Sequence, residues 1–105
     1  MRESVIERYL VRRVKAAGGE CRKLRGRRNE PDRLVILPHI EASPVLALVG
    51  ARIAFVETKA THGRLRPGQI RELTRLRRLG CSVWCVYSKD DVDSLLKLLG
   101  GGAAQ

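Results

Sequence analysis

Aromatic side chains are scarce in this 105-residue chain, which has only Tyr9, Phe55, Trp84 and Tyr87. Its core must therefore be built from Val, Leu and Ile, and no aromatic platform is left over for stacking unpaired bases. Long apolar runs are missing too. Nothing approaches the roughly 20 residues that span a bilayer, and the amphipathic, charged N-terminus lacks the apolar stretch of a secretory signal. The expectation is a cytoplasmic protein with no membrane partner. Cysteine is sparse and odd in number: Cys21, Cys81 and Cys85 form no C-x-x-C pair, and His39 and His62 do not stand at zinc-ligand spacing from them. That argues against structural zinc and for buried, reduced thiols.

Acidic side chains are the last shortage. Eleven Asp and Glu face 21 Lys and Arg, leaving a net charge of +10. The excess is blocked rather than spread. Residues 1–28 hold ten basic and three acidic side chains, Arg64–Arg78 six and one, and the tail from Leu79 is nearly neutral. Basic blocks are what binding to a phosphate backbone requires, because each neutralised phosphate releases a counterion. The plain alternative is a generally basic protein surface. At this length one core is expected and not two, so residues 1–99 read as one domain and 100–105 as a small, flexible tail.

Helix spacing of Val5, Ile6, Tyr9, Leu10, Val14 and Ala17 predicts a first helix over Glu3–Ala17, closed by Gly18-Gly19. Cys21–Leu24 reads as an edge strand and Arg25–Pro31 as a polar loop. Asp32–Leu37 and Arg52–Lys59 are strand candidates. Between them lie His39, Glu41 and the apolar stretch Val45–Val49, which is either an extended hairpin or a contact surface. Pro67 stands at a favoured first helical position, with Ile70, Leu73, Leu76 and Leu79 spaced as one face ending before Gly80. Ser82–Tyr87 is a strand that should run parallel to the one before it. Ser88 can cap a last helix that buries Val92, Leu95, Leu96 and Leu99. The class is α/β, a small mixed sheet flanked by helices.

If the strands around Asp32 and Glu57 pair antiparallel, the start of one meets the end of the other. Ile53, Phe55, Glu57 and Lys59 then share one face, since strand side chains alternate. An apolar face ending in Glu and Lys needs partners or a metal for its charges. Two converging carboxylates with a backbone carbonyl and waters suit Mg²⁺ or Mn²⁺. Such an ion polarises a phosphodiester and acidifies a bound water, while a nearby ammonium such as Lys59 stabilises the extra negative charge of the transition state.

Pro31-Asp32 followed by Glu57-Thr58-Lys59 matches the PD-(D/E)xK nuclease pattern. Further residues recur in the same order: Ile6-Glu7 with Leu10-Val11, Gly18-Gly19, Lys23, Pro31-Asp32-Arg33, Phe55 to Lys59, Gly63-Arg64-Leu65, and Gln69 with Leu76 and Gly80. Over roughly residues 3–95 the chain resembles the VRR-Nuc family, in the small stand-alone form encoded by phages and prophages. The resemblance implies a restriction-endonuclease-like core in a bacterial or phage-infected cell. It implies Asp32 and Glu57 as metal ligands with the Thr58 backbone carbonyl, Lys59 as the catalytic lysine, Glu7 as an additional acid from the first helix, and Gln69 as a support for the site. It further implies branched DNA, such as Holliday junctions, as substrate and a homodimer as the working form. Lys23, Arg25, Arg27, Arg28, Arg33, Arg64 and Arg66 are the candidate DNA contacts. The chain departs from the family at Asn29-Glu30, where a glycine and an apolar residue are usual, and in the longer stretch His39–Arg52.

Each assignment has a simpler rival. Ser4-x-x-Glu7 is a capping-box pattern, and Glu3, one turn earlier, competes for the same side. Asp32 after proline suits a turn, Glu57 and Lys59 a rim ion pair, and Gln69 a cap on its own helix. Arg71, Arg75 and Arg78 form a stripe with the look of a solvated face. For the whole chain, the rival from another class is a non-catalytic basic DNA-binding module on a nuclease scaffold.

Overall fold

In α1 (Glu3–Ala16), Ile6, Leu10 and Val14 recur four residues apart and are fully buried; each contributes roughly 1.5–3 kcal/mol over leaving it exposed. Glu3 in the first turn and Arg13 and Lys15 in the last complement the helix dipole. The helix stops at Ala17, and Gly18 follows with φ +85°, a left-handed conformation that glycine adopts without steric cost. The computed structural model describes residues 1–38 and 52–99. The Val45–Val49 stretch with His39 and Glu41, and the 100–105 tail, lie outside them.

Four short strands follow the period-two patterning of the chain. β1 (Glu20–Lys23), β2 (Arg33–Ile36) and β3 (Ile53–Thr58) pair antiparallel in that order, and β4 (Val83–Val86) lies parallel to β3. The parallel pair is bridged by α2 (Pro67–Arg78), and α3 (Lys89–Leu98) closes the described chain. Ser88 caps α3, its Oγ accepting from the Asp91 N–H at 3.0 Å.

The sheet has a helix layer on each side. On one face α1 and α3 bury Ile6, Leu10, Val14, Val92, Leu95 and Leu96 against Val35, Ala54, Val56 and Val86. On the other, Leu73 and Leu76 of α2 pack with Val83, Phe55 and Cys85. This is the expected mixed sheet flanked by helices. Among the described residues no helix is long and apolar enough to cross a membrane.

Three expectations are corrected. Ile70 and Leu79 are 50% and 67% exposed, and the inward stripe of α2 is Gln69, Leu73 and Leu76. A polar side chain sets the rotation of this helix, for a reason found in the site below. Val5 lies half-buried, outside the fully buried Ile6–Leu10–Val14 stripe of α1. The three thiols are free but half-buried, not fully buried.

The turn from α1 into β1 is tight against the far end of β2: a Cβ on Gly19 would lie 2.3 Å from the Ile36 carbonyl oxygen. Gly19→Ala is therefore expected to lose about 1–3 kcal/mol in urea denaturation. Gly26→Ala, whose nearest neighbour would be a side-chain oxygen at 4.0 Å, is expected to stay within about 0.5 kcal/mol of the parent.

Candidate active site

The register Arg33↔Val56, carried two residues further, puts Asp32 beside Glu57 and Pro31 opposite Thr58. Proline has no N–H, so it cannot donate to the Thr58 carbonyl as the ladder would require. The Asp32 carboxylate takes over at this break: its Oδ2 accepts from the Thr58 N–H at 2.9 Å and from the Thr58 hydroxyl at 2.7 Å. The Leu24 N–H holds the Asp32 carbonyl from the β1 side at 2.9 Å. Within one strand residue the N–H and C=O point the same way, so the Thr58 carbonyl faces the Asp32 side with Pro31 unable to occupy it.

Glu57 is 2% exposed. Its Oε2 accepts from Gln69 Nε2 at 3.0 Å and lies 3.6 Å from Lys59 Nζ. Gln69 Oε1 in turn accepts from the Arg66 N–H at 2.9 Å. One side chain thus closes the first turn of α2 and holds the buried carboxylate, so the two roles weighed for Gln69 coexist. Burial pushes the Glu57 carboxyl up to about 7; the charges of Asp32 and Glu3 add to the rise, and Lys59 opposes it.

The loop after Lys59 is fastened at both sides, because the Thr61 N–H donates to the Met1 carbonyl and the Thr61 hydroxyl to the Tyr87 carbonyl, each at 3.0 Å. His62, exposed with φ +71°, is a turn residue there.

Glu7 is placed differently. Its Oε2 accepts from Lys23 Nζ and Arg33 Nε, both at 2.8 Å. Burial alone would raise its pKa, but the two cations outweigh this and hold it below the usual carboxylate range. The capping-box rival fails, since α1 starts at Glu3 with Arg2 as a cap that lends no side chain. Arg33 and Glu7 meet on the α1 face, whereas Glu57 and Gln69 meet on the α2 face. Among the described residues no three His, Cys, Asp or Glu side chains gather at metal-holding distance. Of the two α1 acids weighed, Glu3 is the one whose charge raises Glu57.

The candidate DNA contacts also divide between the faces. Lys23 and Arg33 belong to the Glu7 cluster. Arg25, Arg27 and Arg28 are exposed on the β1–β2 loop, which is clipped to α2: Asn29 takes φ +66° and a Cβ on Gly68 would lie 2.6 Å from its Nδ2. Asn29 thus fills a left-handed position that suits glycine, consistent with the family pattern. Arg64 and Arg66 stand exposed at the entry to α2. The sequence reading misses the Thr58 hydroxyl; a threonine between the motif Glu and Lys is the available signal for it.

No protein-family model matches the chain. A protein named "Putative nuclease p44" from Acyrthosiphon pisum secondary endosymbiont phage 1 is 40% identical over 98 residues, 91% of this chain and 92% of that protein. A solved structure described as a VRR_NUC domain superposes with a TM-score of 0.73 at 38% identity, over 90% of this chain and 94% of the other. The chain belongs to the VRR-Nuc family. Its sheet order and helix placement are accordingly those of a VRR-Nuc fold, and the carboxylate pair lies at the break between β2 and β3.

A carboxyl raised from 4.5 to about 7 keeps its proton in the folded state over a range where the unfolded chain has released it. Its contribution therefore falls as pH rises from 4.5 to 7. In chelator, Glu57→Gln, which preserves the acceptor for Gln69, is expected to be more stable than the parent at pH 8, by an amount on the order of 3 kcal/mol at about 1.4 kcal/mol per pKa unit. At pH 4.5 the gain should vanish; an equal gain at both pH values in differential scanning calorimetry would contradict this account.

Proposed function

We propose that this VRR-Nuc chain is a Mg²⁺- or Mn²⁺-dependent endonuclease that hydrolyses phosphodiester bonds in branched DNA, such as Holliday junctions, leaving 5′-phosphate and 3′-hydroxyl ends. The observation that carries the reading is how the carboxylates are held. Asp32 and Glu57 are each fixed through one oxygen, Oδ2 and Oε2. Among the described residues, Asp32 Oδ1 and Glu57 Oε1 accept no hydrogen bond from protein. With the Thr58 carbonyl opposite Pro31, these oxygens form a hard-oxygen donor set suited to such an ion. Bound by Asp32, Glu57 and the Thr58 carbonyl, Mg²⁺ or Mn²⁺ would supply Lewis-acid polarisation of the phosphodiester and a water of lowered pKa.

The chain's own residues do the rest. Thr58 orients Asp32, and Gln69 orients Glu57 while anchoring α2. Lys59, with its side chain only 12% exposed, brings an ammonium to the carboxylate pair, where it stabilises negative charge building on the phosphoryl oxygens. Arg25, Arg27, Arg28, Arg64 and Arg66 draw the backbone in from the α2 side. Glu7 acts as an organiser of Lys23 and Arg33. One domain offers one site, so symmetric cutting of two strands calls for a homodimer.

Lys59→Ala is expected to lower single-turnover cleavage by about 10²-fold or more, with junction binding in chelator within about twofold of the parent. Full activity in that variant would sink the mechanism. Plasmid, linear, flap and junction DNA incubated with Mg²⁺, Mn²⁺ or chelator separate this reading from the non-catalytic module; DNA binding without cleavage under any metal would favour the module.

A further inference from the structure

The outer side of α1 carries an open groove with Val5 and Val11 half-buried in its floor and Arg8, Arg12 and Arg33 around it. Arg8 and Arg12 are exposed and stand one helical turn apart. Among the described residues neither meets a carboxylate; Arg8 Nε reaches only the Ser4 carbonyl, at 3.4 Å. Like charges at this spacing destabilise a helix. On α2, by contrast, Arg75 is neutralised by Glu72 through bonds of 3.0 and 2.8 Å. At the inner end of the groove, Glu7 balances only one of the two cations Lys23 and Arg33 that hold it.

We propose that this α1 face is a second phosphate-backbone track, running from Arg33 beside the site over Arg8 and Arg12, and that its occupant is the backbone of a second duplex arm. The inference rests on the reading of the chain as a branched-DNA nuclease. It follows from the position of Arg33. Asp32 and Arg33 are neighbours at the start of β2, yet Arg33 joins the α1 layer through Glu7, while the loop that carries Arg25, Arg27 and Arg28 lies against α2 with its Asn29 close to Gly68. Two basic paths therefore leave the carboxylate pair on opposite faces of the sheet. A linear duplex crossing the site follows one path. Arms that diverge at the site fill both.

The test compares Arg8→Ala/Arg12→Ala with Arg71→Ala/Arg78→Ala, which removes the same charge from exposed positions on α2. Alanine preserves helix propensity in both variants. Binding to a synthetic four-way junction and to one of its linear duplexes is measured in chelator between 50 and 200 mM salt. The α1 variant is expected to lose junction affinity roughly tenfold and to flatten the salt dependence by about 1.8, the value for two phosphates. Its affinity for the linear duplex, and both affinities of the α2 variant, should stay within about twofold of the parent. The track is overturned if the two variants behave alike, or if the α1 variant loses junction and linear DNA equally. A parent that binds and cuts junctions while the α1 variant binds them equally well removes the track alone; a parent that binds neither DNA removes the functional reading with it.

Discussion

A carboxylate sits inside the sheet–helix interface with almost no contact with water, and much of the rest of the molecule is arranged around it. Burying Glu57 is costly unless its oxygens are bonded, and only α2 can reach it from that face. Gln69 does so, and this fixes the rotation of the helix: the stripe that enters the core must start with the glutamine, so Leu73 and Leu76 follow it inward and Ile70 is turned out. Because the oxygen of the same amide accepts from the Arg66 N–H while its nitrogen donates to Glu57, the helix start cannot slide along the sheet without losing both bonds.

The second carboxylate solves a different problem. A proline opposite Thr58 leaves the Thr58 carbonyl without its ladder donor, and the Asp32 carboxylate accepts the Thr58 N–H beside it. Backbone pairing of β2 with β3 therefore stops beside the two carboxylates. Arg33, one residue along, turns to the opposite face and is gathered by Glu7. A single step along the chain thus separates a carboxylate beside Glu57 from a cation that faces α1.

Most of the framework was legible in the chain. Four-residue spacing marked Ile6, Leu10 and Val14, and alternation marked β3 with Glu57 at its end. The crossover rule gave the parallel pairing of β4, and Ser88 announced α3. The ordered motif residues identified the family. What could not be read were matters of phase and orientation. Ile70 and Leu79 fit a helical face as well as Gln69 does, and only the bond to a buried group on another element decides between them. Glu7 lies at the border of the apolar stripe of α1, where its spacing serves either face. Its pairing follows from Lys23 standing across from Arg33 on adjacent strands, a tertiary fact with no local trace. The doubled hold of Thr58 on Asp32 depends on a side-chain rotamer that no periodicity encodes.

β2 has two ends with separate tasks. Asp32 marks one, and at the other the Leu37 N–H bonds the Arg52 carbonyl at 3.0 Å, with Gly19 wedged close beside Ile36. Five residue steps separate these ends by roughly 16 Å. The contacts that fasten the far end thereby lie apart from the acids. A change at Gly19 or Ile36 acts on the carboxylates only through the strand itself, and a single short strand is both the tether and the spacer between them.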